Sequence, residues 1–159
     1  MSTLFVDTIN EKTTNNGVYI PGHVLQVVSA STGNNVSTTS TSFVTSNLTA
    51  TITPSSTSSK ILILLNAAMY NSTNSVHAVA TVFRGTVSGT NLGHSDAGFG
   101  TSYADNALTK NNISANYLDS PSTTSATTYT VGIKTINSGT AIFSVNGETS
   151  VLTLMEIGA

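Results

Sequence analysis

His94, Ser95 and Asp96 are the three side-chain types of a hydrolytic triad, and they stand side by side. In a working triad the nucleophile, the base and the acid converge from separate elements, because neighbours along one chain cannot adopt that geometry. The sequence therefore predicts that these three residues belong to a polar loop. No other nucleophile and base occur in a context typical of catalysis, so we expect no enzymatic activity.

Metal-binding patterns are missing as well. The three histidines show none of the spacings with which imidazoles bind zinc, and the chain has no Cys. Asp96, Asp105 and Asp119 do not follow the alternating pattern of a calcium loop, and we interpret them as solvated loop carboxylates. The sequence predicts no metal and no cofactor.

The composition excludes some classes of binding partner. Only 8% of the 159 residues are charged, against about 25% in ordinary soluble domains, and the net charge is −2. Five Lys and Arg residues cannot form a basic patch for nucleic acid. The longest apolar run, Ile61–Leu65, is too short to cross a membrane, and the N-terminus lacks the features of a secretory signal peptide. We expect neither a nucleic-acid nor a membrane partner, and synthesis in a cytoplasm.

The elements that must position these residues are strands. In Asn47–Thr53 the apolar residues Leu48, Ala50 and Ile52 alternate with polar ones, which is typical of a half-buried strand. Similar runs recur at the spacing of a sandwich or barrel, and none has a helical period. The sequence thus predicts an all-β sandwich or barrel of about eight strands: His23–Ser29, Phe43–Thr53, Ile61–Leu65, Val76–Phe83, Asn112–Leu118, Thr128–Ile136, Ala141–Val145 and Val151–Ile157.

Three segments give more specific expectations. The Asn146-Gly147 pair is a strong hairpin signal between the last two strands. The uninterrupted run Ile61–Leu65 indicates a strand covered on both faces. The Gly-rich segment Thr86–Asn111 is either a long loop or a pair of edge strands, and we expect it to provide an outward surface.

The first 22 residues differ from the rest. Apolar residues recur on both sides of an Asn16-Gly17 turn, and Pro21-Gly22 ends the segment. Such a hairpin is only marginally stable alone. We interpret residues 1–22 as an attachment arm and residues 23–159 as the body. The alternative, a strand pair packed on its own domain, stays open. The arm residues expected to contact a partner are Leu4, Val6, Ile9, Val18, Tyr19 and Ile20.

Several stretches resemble the virion surface proteins of tailed bacteriophages, particularly marine phages. They are Val6–Ile9, Thr14–Val18 and Ile20–Gly22; the Ser-rich turn, Lys and apolar strand of Pro54–Ile63; and Asp119–Pro121, Tyr129–Val131 and Leu152–Ile157. The similarity spans nearly the whole chain, although its motifs are of low complexity. It implies a homotrimeric, jelly-roll-like protein on the virion surface.

The resemblance leaves two functions open. One is a capsid decoration (cement) protein that contacts the major capsid protein or another virion protein. The other is a tail or head fibre that recognises host-surface glycans. The short chain and its few aromatic residues favour decoration. We expect the trimer interface at Ile61, Ile63, Leu65, Leu152 and Leu154, and the outward loop surface at His94, Asp96, Phe99, Tyr103 and Asp105.

Overall fold

A computed structural model describes residues 22–105, 109–137 and 139–158. These ranges hold eleven strands and one 3-10 turn, Val145–Gly147, and within them no helix is long and apolar enough to cross a membrane. The strands are β1 (Val24–Thr32), β2 (Val36–Thr38), β3 (Val44–Ile52), β4 (Lys60–Asn71), β5 (Val76–Arg84), β6 (Thr90–Asn91), β7 (Gly100–Ala104), β8 (Thr109–Asp119), β9 (Thr127–Ile136), β10 (Ala141–Phe143) and β11 (Ser150–Ile157).

The strands form two antiparallel sheets. In sheet I, β4 pairs with β8 on one side and with β10 and β11, in succession, on the other, while β2 and β1 continue outward from these two. In sheet II the order is β3, β9, β5, and the far side of β5 pairs with β6 and β7. Each sheet is therefore four strand positions wide.

The path of the chain between the sheets is that of a jelly roll. If β1–β2, β6–β7 and β10–β11 are each taken as one interrupted strand, sheet I contains the first, third, sixth and eighth strands and sheet II the others. Two four-stranded antiparallel sheets connected in this way are the jelly-roll arrangement. The expectation of an all-β, jelly-roll-like sandwich with about eight strands is confirmed.

The core lies between the two sheets and follows from the alternation of side chains along each strand. In β3, Leu48, Ala50 and Ile52 point inward and are at most 4% exposed, while Thr49 and Thr51 between them face solvent. Tyr129 and Phe143 are the largest fully buried side chains. The period-two pattern in the sequence thus identified the inward face of β3 correctly.

The apolar run in β4 is covered on one face only, which corrects the expectation for Ile61–Leu65. Ile61, Ile63 and Leu65 are at most 3% exposed in the core. Leu62 is half-buried and Leu64 is 37% exposed, because both point away from sheet II. The strands that are buried on both faces are β5 and β9.

The hairpin expected at Asn146-Gly147 is wrong. β10 and β11 do not pair with each other: Phe143 lies opposite Met69 and Val151 opposite Asn66, so both strands run in the same direction along β4. Asn146 and Gly147 do adopt positive φ, 55° and 80°, as a two-residue hairpin turn requires. Here the left-handed residues form a kink that interrupts one long strand.

Candidate interaction surfaces

The segment from Thr86 to Asn111 combines both structures that the sequence left open. β6, β7 and the start of β8 are edge strands within it, and residues 92–99 form a loop between β6 and β7. Leu92 N donates to Val82 O at 3.0 Å and Phe99 N to Ala80 O at 2.9 Å, which holds both ends of the loop to β5. We refer to residues 92–99 as the flap.

The flap folds over the outer face of sheet II. Lys134, on the neighbouring strand β9, donates a hydrogen bond from Nζ to Ser95 O at 3.0 Å and lies 3.8 Å from Asp96 Oδ1. Its ammonium also lies over the Phe43 ring, 4.7 Å from the centroid. Lys134 is only 7% exposed as a result. The protein thus covers the outer face of sheet II with its own chain.

His94, Ser95 and Asp96 form the turn of this flap and not a triad. His94 and Gly98 exchange backbone hydrogen bonds of 3.0 and 2.9 Å. The His94 Nδ1 atom accepts hydrogen bonds from the backbone N–H groups of Asp96 and Ala97, at 3.1 and 3.2 Å. The imidazole therefore caps the turn, which agrees with the expected polar loop.

The outward loop residues Phe99 and Tyr103 each pack against a second aromatic ring, Tyr103 where β7 pairs with β5 and Phe99 where the chain comes near β8. Tyr103 contacts His77 with a centroid distance of 4.5 Å, and Phe99 contacts Tyr117 at 5.8 Å. Tyr103 is 44% and Tyr117 37% exposed. We call these four residues the aromatic side. Asp105, the residue after β7, is also exposed.

His77 and Tyr117 were missed as members of this surface. They lie far from the flap in sequence, and only the pairing of β5 with β7 and the packing of β7 near β8 brings them to it. No local pattern could have identified them.

The five side chains expected at a trimer interface are in the core. Ile61, Ile63, Leu65, Leu152 and Leu154 all point between the sheets and are at most 3% exposed. They cannot contact a second copy while the sandwich is closed. The reason is the period of the strand: the apolar runs were correctly identified, but the outward positions on them are the alternate residues.

Those alternate residues form an apolar surface on the outer face of sheet I. Val27 lies opposite Met155, Met155 opposite Leu62, and Leu62 opposite Leu118, so a continuous apolar row crosses all four strands. Val24 and Ile157 extend the row at the end of β1 and β11. Val24, Val27 and Leu118 are 40%, 54% and 51% exposed. We call these six residues the apolar band.

The rest of this face is mainly polar. Its outward residues include Ser29, Ser31, Asn66, Ser114, Asn116 and Thr153, together with the apolar Leu64 and Val151. The apolar surface is thus concentrated at one end of sheet I.

The expected attachment arm lies outside the described residues, including Leu4, Val6, Ile9, Val18, Tyr19 and Ile20. What the structure does show is where the arm joins the body. Gly22 N donates to Gly158 O at 2.8 Å, and Gly158 N donates to His23 O at 2.9 Å, which extends the pairing of β1 with β11. The arm therefore joins at the end of sheet I that carries the apolar band.

Two buried acids link separate parts of the sandwich. Asp119 lies 3.2 Å from Arg84 Nη1 and accepts a 2.7 Å hydrogen bond from the Tyr129 hydroxyl. Burial first, and then the hydrogen bond to the carboxylate, raise the pKa of Tyr129 well above its ordinary value, so this hydroxyl stays a donor. Asp119 thus links β8 of sheet I to β5 and β9 of sheet II. It is a buried carboxylate, and the expectation of a solvated loop residue is wrong.

Glu156 is fully buried on the inward face of β11. It accepts hydrogen bonds from Gln26 Nε2 at 2.6 Å and from the backbone N and side-chain Oγ of Ser55 at 2.7 and 2.6 Å. Burial opposes its ionisation, but these hydrogen bonds outweigh burial and lower the pKa of the carboxyl below its usual value. Glu156 thus ties the loop after β3 to sheet I.

One surface hollow is polar and open to solvent. It has a volume of about 410 Å³ and is lined by Ala68, Lys110, Asn111, Asn112, Glu148 and Thr149. Lys110 and Glu148 form a 3.2 Å ion pair within it, and both side chains are nearly half exposed. Among the described residues there is no group of three or more His, Asp or Glu side chains that could hold a metal ion.

Comparison with known proteins finds only distant structural similarity. No protein-family model and no curated protein matches the chain. A solved structure of T=1 particles derived from infectious bursal virus matches 97% of the chain at 14% identity, with a TM-score of 0.48. A structure of the infectious bursal disease virus Gx strain matches 84% at 19% identity, with a TM-score of 0.39. The chain spans about two fifths of the length of these proteins, 41% and 38%.

Proposed function

We propose that the protein is a structural component of a virus particle, a homotrimeric decoration protein on the outside of the shell. The observation that carries this proposal is the closed jelly-roll topology, an architecture that recurs in viral capsids and lectins. It agrees with the fold implied by the sequence resemblance to bacteriophage virion surface proteins.

The chemistry of the interior supports a structural role. The buried acids Asp119 and Glu156 are both engaged by strands or loops distant in sequence. Such engaged polar networks rigidify a fold, whereas a catalytic group must reach a substrate.

The surface that we assign to contact with a neighbouring virion protein is the aromatic side. Tyr is enriched at protein interfaces because its ring buries a large area while its hydroxyl finds a polar partner. Tyr103 and Tyr117 are partly exposed, and both are positioned by a second ring.

The oligomer and its location are tested first. Analytical ultracentrifugation at micromolar concentration is expected to give three times the mass of one chain, and a monomer would contradict the trimer. Quantitative mass spectrometry of purified particles then gives the copy number. Hundreds of copies support a shell protein, whereas a few to a few dozen indicate a tail appendage.

Variants test the assigned surface. Tyr103→Ser and Tyr117→Ser are expected to weaken co-sedimentation with bare particles by about tenfold each, the effect typical of a central interface residue. Tyr70→Ser is the matched control, because Tyr70 lies beside Lys110 on the outer face of sheet I, whereas Tyr103 belongs to sheet II. Unchanged binding of both variants would remove the aromatic side from the interface.

The exposed rings also favour a second function, recognition of a host-surface glycan by a fibre-type protein. The apolar face of a sugar stacks on an aromatic ring, and aromatic side chains with a few polar groups are the usual lining of a ligand site. A glycan array distinguishes the two functions. Binding that is lost in Tyr103→Ser, together with a low copy number, would support the fibre and overturn decoration.

A further inference from the structure

We propose that residues Leu4–Ile20 fold back onto their own subunit and cover the apolar band on the outer face of sheet I. This proposal does not rest on the virion function. It makes residues 1–22 a part of the body instead of an arm that attaches it to a partner.

The first argument is the position of the band. In a soluble protein a continuous apolar surface of this kind usually lies against something. The band occupies the end of the sheet where the chain enters at Gly22, and the far end of the same face is mainly Ser, Thr and Asn. A cover that starts at Gly22 and reaches only the near end fits this distribution.

The second argument is the backbone at the junction. Gly22 has φ +79°, and Pro21 precedes it. A type II turn places Pro at its second position and needs φ near +80° at its third, where Gly is favoured. The proposal places such a turn over Ile20–His23, with Pro21 and Gly22 at its second and third positions, so that the preceding residues would run back towards β1.

The third argument is the composition and length of the segment. Val18 and Ile20 alternate with Tyr19, and Leu4 and Val6 show the same spacing, so each pair presents two apolar side chains to one side of an extended chain. Four strands of a sheet span about 15 Å, which about five extended residues can cross. Seventeen residues are enough to cross the band as a hairpin turned at Asn16-Gly17.

The covalent link makes the segment of the same chain the favoured occupant. A segment joined directly at Gly22 has an effective concentration in the millimolar range near the band, far above that of a separate copy in dilute solution. The side chains of the band are all aliphatic or thioether: Val24, Val27, Leu62, Leu118, Met155 and Ile157. The charge beside them is that of Lys60, which lies opposite Ile157 and donates a hydrogen bond from Nζ to Ser120 Oγ at 2.9 Å.

The chain has no Cys, so a single introduced Cys reports the exposure of one position. We would measure the maleimide labelling rates of Val27→Cys and Leu118→Cys in the full-length chain, with Ser31→Cys as the control on the polar end of the same face. Each Cys variant is then combined with Val18→Asp and Ile20→Asp, which place charges on the segment Leu4–Ile20. Asn15→Asp is the control for added charge at a polar position of that segment.

In the full-length chain we expect Val27→Cys and Leu118→Cys to label about tenfold more slowly than Ser31→Cys. With Val18→Asp and Ile20→Asp the two sites should label as fast as Ser31→Cys, and with Asn15→Asp they should stay slow. Three results would overturn the proposal: fast labelling in the full-length chain, slow labelling that the Asp substitutions do not change, or slow labelling that becomes faster on dilution. The last result would identify a second copy as the cover.

Discussion

At the scale of single residues, stability depends on buried acids that are fully engaged. Glu156 has no exposed surface and accepts three hydrogen bonds from residues of β1 and of the loop after β3. Because its pKa is lower in the folded protein than in the unfolded chain, the unfolded chain binds more protons at acidic pH. The stabilisation by Glu156 is therefore complete above the unfolded value of about 4.5 and is lost as the pH falls through the folded value.

Glu156→Gln should lower the free energy of unfolding at pH 7 by about 1–3 kcal/mol, because one of the two acceptor oxygens becomes an NH2 group that faces either Gln26 Nε2 or the Ser55 donors. The difference from the parent protein should shrink as the pH falls below about 4.5. Urea unfolding at several pH values measures both effects. Glu148→Gln is the control: its exposed ion pair with Lys110 contributes at most about 1 kcal/mol. Equal losses in the two variants would contradict this account of Glu156.

The sequence predicted little at this scale. Leu152, Leu154 and Glu156 share one face of β11. The two leucines predict that this face points into the core, where a carboxylate would not be expected. Gln26 and Ser55, which make that position possible, lie 130 and 101 residues away. Partners this distant in sequence become adjacent only through the pairing of β1 with β11 and the closure of the sandwich.

At the scale of elements, the period of apolar residues identified most strands, whereas the turns and the short edge strands depend on the elements around them. Val76–Phe83 and Thr128–Ile136 match β5 and β9 within one residue at each end. Asn146-Gly147 failed as a hairpin signal because residues with positive φ are suited to a kink within a strand as well as to a hairpin turn. The sequence left the segment of β6 and β7 open as a loop or a pair of edge strands, since their short polar sequences are held by pairing with β5 and not by a pattern of their own.

The flap provides a test at this scale. Gly98 has φ +57°, and a Cβ there would lie 2.3 Å from the Ala80 carbonyl oxygen; Gly147 has φ +80° with open space around it. Both Gly→Ala substitutions incur backbone strain of about 1–2 kcal/mol, but only Gly98→Ala also pushes the flap off β5. We expect Gly98→Ala to be the more destabilising of the two in urea unfolding. It should also speed amide exchange at Phe99, whose N–H is bonded to Ala80. Equal losses would mean that the flap adapts without leaving the sheet.

At the scale of the whole molecule, the fold depends on packing and hydrogen bonds much more than on charge. The described residues form three ion pairs, and the one between Lys110 and Glu148 is open to solvent on both sides. Exposed pairs contribute little and are screened by salt, whereas buried apolar area is not weakened by it.

The melting temperature should therefore change by less than about 2 °C between about 0.02 M and 0.5 M NaCl. Differential scanning calorimetry at constant pH measures it, and the same series in sodium sulfate is the control. Sulfate should raise the melting temperature, because it strengthens apolar burial. A marked fall in sodium chloride would show that ion pairs carry a larger share of the stability.

The hydrogen bonds that join Gly22 and His23 to Gly158 also determine how the body responds to mechanical force. β1 and β11 are antiparallel, with Val24 opposite Ile157 at one end and Thr32 opposite Ser150 at the other. A load applied between residues 22 and 158 pulls both strands from the same end. The bonds between the strands then open one pair after another, like a zipper, instead of sharing the load in shear. Tension along this axis would unfold the sandwich at low force, so an attachment that must resist tension would hold the body at another point of its surface.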